Sequence, residues 1–379
     1  MNFTFSNPTK LIFGEGAIAK LGDEVIEKGV QKVLLLAGGG SIKKNGVYAQ
    51  VMASLREKNI IVVECWGIRS NPELAKVYEA IQIAREEAVE AVLAVGGGSV
   101  IDTAKAVAAG VYLNDIWQAF EWKVAIQKAL PIFTVLTLSA TASEMNGNAV
   151  ITKAEAKSKW GIGSPRLYPQ VSIVDPGIQC SLPWKQTVSG AVDVLAHIME
   201  YYCMGNEEET SLAIDEALMK TVIAMVDKLQ KDPEHTVSRA NLAWAATLGL
   251  NGISGAGLRG GDWACHMMEH SVSAFYPQIS HGDGLGIIIP AWMQYVQKTN
   301  PKQFTRFARN VWNCNSVEKA IVAWQEKLVQ WGSATRLRDL GVAETQLEPM
   351  SANAVSNGPI GKLQRLEKDD VARILHLAY

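Results

Sequence analysis

Two short segments of this 379-residue chain concentrate the residue types that bind metals or move protons. In SGAVDVLAHIMEYY, Asp193 and His197 lie four residues apart on an apolar helical pattern, which puts a carboxylate and an imidazole on one helix face a turn apart. Val192, Leu195, Ala196, Ile198 and Met199 surround them, so the helix is expected to be buried, and a buried Asp needs a partner or a metal. An Asp–His hydrogen bond alone would satisfy this pair. The second segment, GGDWACHMMEHSVSAFYPQISHGDG, adds His266, His270 and His281, the first two again at i and i+4. Three imidazoles and one carboxylate suit zinc(II) or iron(II). Spacing does not say which of these three histidines are ligands, and by itself favours the His266/His270 pair. Glu269 adjoins His270 rather than the first histidine, so the HExxH pattern of zinc proteases is absent.

The first half offers a different chemistry. AVLAVGGGSVIDTAKAVAAG reads as a buried strand, three glycines and a helix of small residues. Glycines let backbone N–H groups approach a phosphate, and a helix N-terminus favours negative charge there. Ser99 and Asp102 also fit a capping box, the structural reading of both. The pattern is neither the GxGxxG fingerprint nor a P-loop. A second glycine turn, AGGGSIKKNG at 37–46, follows another apolar strand, and two such turns suit the two halves of a dinucleotide. The 38–41 turn carries no carboxylate to meet a ribose 2′-hydroxyl or repel a 2′-phosphate, while Lys43 and Lys44 follow it, which leans toward NADP. Solvated helix lysines explain the same pair equally well.

Positioning these groups falls to two kinds of element. Strands are expected at 32–41, 59–67, 90–99, 130–138 and 169–175, with a helical pattern over 73–88 between two of them, which implies parallel βαβ units. FTFSNPTKLIF reads as a hairpin turning at Asn7–Pro8. After about residue 180 the stripes become helical, as in Leu218, Val222, Met225 and Leu229, or Ile321, Trp324, Leu328 and Trp331. Asn300–Pro301 supplies a helix start. The expected domains are therefore 1–181, α/β and dinucleotide-binding, and 182–379, helical and metal- and substrate-binding. A formal charge of −2 argues against a protein that binds nucleic acid through a basic surface. Five scattered cysteines without a CxxC pair suggest neither a disulfide framework nor a thiolate zinc site. The N-terminus lacks the marks of a signal peptide and no apolar run approaches a membrane span, so a soluble cytoplasmic protein is expected.

The motifs NFTFSNPTKLIFGEGAI, AGGGSIKKNGVY, Asn71–Pro72, AVGGGSVIDTAK, TLSATASEMN, IVDP, SGAVDVLAHIMEYY, GDWACHMMEH and SHGDGLGIIIPAWM together resemble the iron-dependent (group III) alcohol dehydrogenases, essentially end to end, and most closely their butanol dehydrogenase branch. The resemblance implies a dehydroquinate-synthase-like fold and reversible hydride transfer between NAD(P)(H) and a primary alcohol or aldehyde such as butanol or butanal. It implies a divalent metal, iron before zinc, held by Asp193, His197, His266 and His281, with His270 a catalytic residue of the pocket and proton relay. The implied cofactor contacts are Gly39 and Ser41 at the adenosine end, Asn71, Gly97, Gly98, Ser99 and Asp102 around the pyrophosphate, and Thr137, Thr141, Asn146 and Lys159 toward the ribose and nicotinamide. A homodimer is implied too. Ser139 and Ala142 stand where the family usually has proline and glycine, and the His266–His281 interval looks one residue longer, an insertion around Tyr276–Ile279. Two other readings are a cyclising lyase of the dehydroquinate-synthase type, which needs a Lys- and Arg-rich pocket where Arg259 is the only nearby arginine, and a non-catalytic metal- and dinucleotide-binding protein.

Overall fold

Strands buried on both faces need apolar residues at every position, and the first half supplies them. The computed structural model describes residues 1–379. Its strands are β1 (Lys10–Phe13), β2 (Lys32–Ala37), β3 (Ile61–Cys65), β4 (Ala91–Gly96), β5 (Ile132–Leu136), β6 (Asn148–Lys153), β7 (Ser158–Gly163) and β8 (Val171–Val174). Six form one sheet in the order β1-β8-β5-β4-β2-β3, every pairing parallel. Alternate residues serve opposite layers. Leu34, Leu36, Val92, Ala94 and Ile132 face helices α2 (Leu74–Glu86) and α3 (Gly98–Gly110), whereas Val33, Leu35, Leu93, Val95 and Phe133 face the layer that includes α1 (Val47–Glu57).

Strand order fixes where a ligand can sit. From β2 the chain crosses to β3 on one side, while β4 and β5 extend the sheet on the other, so the order reverses between β2 and β4. Crevices outside the carboxyl ends of strands at such a reversal are the binding sites of open α/β sheets. Those two carboxyl ends carry the glycine turns at 38–40 and 96–98.

The helical half contains α4 (Trp184–Tyr202), α5 (Glu209–Lys231), α6 (Ala264–Phe275), α7 (His281–Val296), α8 (Val317–Trp331), α9 (Leu347–Ala354) and α10 (Lys368–Ala378). α4 packs against α5 and α7, and α7 also against α6, α8 and α10. Pro290 lies inside α7 and has no N–H to give the carbonyl of Gly286. The Trp324 indole of α8 donates to that carbonyl instead, at 3.0 Å. No helix is long and apolar enough to cross a membrane.

By internal contacts the chain divides into Ser6–Leu182 with Glu234–Ala243, and Met1–Phe5 with Pro183–Pro233 and Trp244–Tyr379. Compared with a split into 1–181 and 182–379, two short segments change sides. Ala243 joins the core beside the sheet, and the Phe3 and Phe5 rings lie against Gly257 and Gly252. The hairpin expected at residues 3–13 is absent. Asn7 instead accepts from the Thr9 amide at 3.2 Å and donates to the Met145 carbonyl at 2.7 Å, and only β1 beyond it is a strand, paired with β8. An unexpected antiparallel hairpin, β6–β7, closes the 148–163 segment.

Candidate active site

Asp193 and His197 lie one turn apart on α4, as their spacing requires, and both are buried. α6 brings His266 and α7 opens on His281. The Asp193 Oδ1 atom lies 3.4 Å from His197 Nδ1, 4.0 Å from His266 Nε2 and 3.7 Å from His281 Nε2. The His197 and His266 ring centroids are 4.4 Å apart, and those of His266 and His281 5.3 Å. Asp193 Oδ1 and His266 Nε2 are both buried without a hydrogen-bond partner. Leaving such atoms unpaired is costly. A divalent cation among them satisfies both, and carboxylate plus imidazole is a donor set that iron(II) and zinc(II) accept.

His281 reaches this cluster through the glycine after it. A Cβ at Gly282 would sit 1.9 Å from the Ser189 carbonyl oxygen, so α7 starts in direct backbone contact with α4, one turn before Asp193. Tyr276 to Ser280 link α6 to α7, with Ile279 buried and the Tyr276 hydroxyl accepting from the Ala343 amide at 3.0 Å. The Gly282 contact sets where His281 stands.

Protonation follows from the surroundings. Burial pushes the His197 pKa down to about 3, so this imidazole is neutral, the form a metal ligand takes. Its Nδ1 shares a hydrogen bond of 2.8 Å with the Asp193 carbonyl. Burial also lowers His266 and is the largest single influence, but Glu200, Asp193 and Glu269 together outweigh it and the net shift is upward. Sequence reasoning missed Glu200 and gave Glu269 no role. The Glu200 carboxylate bonds His266 Nδ1, and the Glu269 carboxylate bonds His281 Nδ1. The signal was present: Asp193, His197 and Glu200 share a face at i, i+4 and i+7, and Glu269 is three residues past His266.

His270 lies one turn beyond His266, half-buried, with its ring 5.4 Å from that of His281. Single ligand atoms of Glu269, His270 and His281 fall within 4.8 Å of one another, as do those of Asp193, His266 and His281. Spacing favoured His266 and His270 as a ligand pair, but it is His266 and His281 that share Asp193. Trp263, in the left-handed region at φ 64°, lays its ring edge-to-face against His197 and His266 at 6.3 and 5.3 Å.

The glycine turns are built largely from backbone. Gly39 is exposed with nothing within 4 Å of an added Cβ, and Gly40 takes φ +100° before Ser41 starts a short helix. Lys43 lies 4.1 Å over the Trp66 ring, whose indole donates at 2.6 Å to Glu64, a carboxylate that also accepts from Tyr48. At the second turn a Cβ on Gly98 would lie 2.6 Å from Thr141 Oγ1, and one on Gly97 3.3 Å from Leu138 Cβ. Thr137 donates its amide to the Gly96 carbonyl at 3.0 Å, and the Ser99 carbonyl accepts from Thr103.

The capping box that Ser99 and Asp102 could have made is not formed, because Gly97 is the N-cap and Asp102 turns elsewhere. Its carboxylate accepts from Ser143 Oγ at 2.7 Å and the Val150 amide at 2.9 Å, tying the helix to the 141–150 segment. Asn146 donates to the carbonyls of Thr141 and Ala142 and accepts from Lys105, a fully buried lysine overlooked in the sequence. Burial pushes the Lys105 pKa down to about 8, and its ammonium also reaches Ser143 and the Asn148 carbonyl. Asn71, at φ 54°, accepts from Lys159 Nζ at 2.9 Å. Ser139 donates to Gln179 at 3.0 Å, a bond no proline could make, and Ala142 sits at φ 47°, a conformation that favours the glycine usual in the resembling family.

Comparisons with known proteins place the chain in a family. A family model for iron-containing alcohol dehydrogenases matches residues 8–176, and one for the C-terminal part of Fe-containing alcohol dehydrogenases matches residues 187–379. The probable NADH-dependent butanol dehydrogenase 2 of Bacillus subtilis is 42% identical over 99% of this chain and 98% of its own length. The NADPH-dependent aldehyde reductase YqhD of Escherichia coli is 36% identical over 90% of this chain and 89% of its own. The solved structure of NADH-dependent butanol dehydrogenase A from Thermotoga maritima is 49% identical and superposes with a TM-score of 0.97, covering 100% of this chain and 98% of that one. A parallel sheet followed by a helical half is the dehydroquinate-synthase-like fold expected of such a protein. The chain belongs to the iron-containing alcohol dehydrogenase family.

Proposed function

We propose that this protein is a metal-dependent alcohol dehydrogenase that works reversibly as an aldehyde reductase on small primary alcohols and aldehydes of the butanol and butanal class. The observation that carries this reading is the meeting of Asp193 Oδ1 and His266 Nε2, buried and unpartnered, with His281 Nε2 beside them. Asp193, His197, His266 and His281 are the proposed ligands, with iron(II) preferred and zinc(II) the alternative. Such an ion supplies Lewis acidity toward an alcohol or carbonyl oxygen and lowers the alcohol's pKa. The nicotinamide supplies or accepts the hydride.

The chain's own groups do the rest. Asp193 contributes a fixed negative charge that neutral imidazoles do not. Trp263 covers His197 and His266 with an apolar ring edge and keeps water from them. His270, half-buried beside His281, is the proposed carrier of the proton between the reacting oxygen and solvent. Gly39 and Ser41 would receive the adenosine end of the dinucleotide. Asn71, Gly97, Gly98, Ser99 and Asp102 would frame the pyrophosphate, and Thr137, Thr141, Asn146 and Lys159 the ribose and nicotinamide.

NADP(H) is the proposed cofactor. The names of the relatives carry both NADH and NADPH, so the choice rests on the 38–41 turn, which has open space at Gly39, no carboxylate, and Lys43 within the same short helix as Ser41. A cytoplasmic homodimer is proposed on family likeness alone. One experiment tests the core of the reading: reduced-nicotinamide absorbance with butanal, together with metal content, for the native protein, Asp193→Ala and His266→Ala. Both variants should lose metal and turnover together. An active, metal-free His266→Ala protein would sink the assignment.

A further inference from the structure

Glu200 and Glu269 are fully buried, yet neither belongs to the proposed ligand set. Each accepts from the Nδ1 of a different proposed ligand, His266 for Glu200 and His281 for Glu269. An imidazole whose Nδ1–H is held by a carboxylate presents its Nε2 lone pair on the opposite side, and for both rings Nε2 is the atom that faces Asp193. The carboxylates are themselves anchored. Glu200 also accepts from the backbone amides of Cys265 at 2.8 Å and His266 at 3.3 Å, so it fixes the first turn of α6 as well as the ring. Glu269 is bonded by Ser273 Oγ one turn further on, and Gly284 leaves room for it, since a Cβ there would lie 2.8 Å from Glu269 Cγ. Glu200 also faces the thiols of Cys265 and Cys203 and the carboxylate of Asp262.

Resting on the metal reading above, we infer that Glu200 and Glu269 are positioning residues: they lock His266 and His281 in the Nδ1–H tautomer and so set how tightly the metal is held. His197 differs, because its Nδ1 hydrogen-bonds a neutral backbone carbonyl at 2.8 Å, the Asp193 carboxylate lying farther off at 3.4 Å. A carboxylate raises imidazole basicity more than a carbonyl does, so His266 and His281 become the stronger donors and His197 the weaker.

The test uses Glu200→Gln and Glu269→Gln, which keep shape and a carbonyl acceptor but remove the charge, with His266→Ala as a control for the site itself. Retention of iron(II), zinc(II) and cobalt(II) is measured by chelator competition, and the cobalt(II) protein is also examined by visible absorption. Each Gln variant should lose metal affinity by about 10- to 100-fold and shift the cobalt(II) bands, while the metal-free proteins still unfold cooperatively. Gln variants with native affinity and bands, beside a His266→Ala protein that has lost metal, overturn this inference and leave the metal site standing. Metal retained by His266→Ala overturns both. Should Glu269→Gln fail to fold, Ser273→Ala loosens the same carboxylate; a several-fold loss of affinity supports the inference, and an unchanged affinity counts against it.

Discussion

The turns after β2 and β4 offer ligands a surface of glycine backbone, whereas the α4–α6–α7 cluster offers carboxylates and imidazoles held by one another. The first is shaped by what is missing: a Cβ at Gly98 has no room beside Thr141. The second is shaped by what is present, since Asp193 and His266 each bring a buried atom that nothing else in the protein satisfies. One site should therefore fail by crowding and the other by loss of charge or alignment. Where crowding enters the histidine cluster, it does so through helix placement at Gly282.

Three substitutions bear on that contrast. The largest effect is expected of Gly282→Ala, whose Cβ would meet the Ser189 backbone at 1.9 Å. Neither partner is a flexible side chain, so α7 must shift from α4, costing about 3 kcal/mol and taking His281 out of line. Urea unfolding and metal content measure this; a stable, metal-replete variant would remove helix docking as the device that places His281. Next is Gly98→Ala, expected to weaken dinucleotide binding at least tenfold by calorimetric titration and to lower the unfolding temperature. Adding Thr141→Ala removes the atoms at 2.6 and 2.9 Å and should recover most of the lost stability. If it does not, the turn's sensitivity comes from backbone conformation rather than space. The smallest effect belongs to Ala142→Gly. Relief of the φ 47° strain, less the entropy that glycine adds to the unfolded chain, should stabilise by about 0.5 kcal/mol in thermal unfolding.

What the sequence revealed followed local pattern. The five strands read from it are mostly apolar, with single polar residues such as Glu64 and Ser172, and all five lie in the parallel sheet. The β6–β7 hairpin escaped notice because NAVITK and SKWGIG mix polar residues and glycine into short runs. The Asn7–Pro8 signal is a real turn, but its partners are the Thr9 amide and the distant Met145 carbonyl, and β1 pairs far along the chain. Histidine types and the Asp193/His197 spacing were visible too. Spacing alone did not show which histidines converge, because Glu200 meets His266 across 66 residues and Gly282 meets Ser189 across two helices. Lys105 looked like one more residue of a small-residue helix, and only the fold surrounds it with Ser143, Asn146 and Asn148.

The pairing of β1 with β8 has a consequence for how the chain is made. Lys10 aligns with Val171, so once β1 is made it has no neighbour until roughly 160 more residues have followed. At about 5–20 residues per second that wait is on the order of ten seconds, long compared with the formation of any helix or hairpin. β2 to β5 can assemble meanwhile, because each finds a partner among strands already made. β8 then enters between β5 and β1 and completes the sheet in one late, long-range step, the kind that slows folding. The hydrogen-bonding edge of β1 stays unpaired until then, and Phe3 and Phe5 wait longer still, until Gly257 and Gly252 have been made.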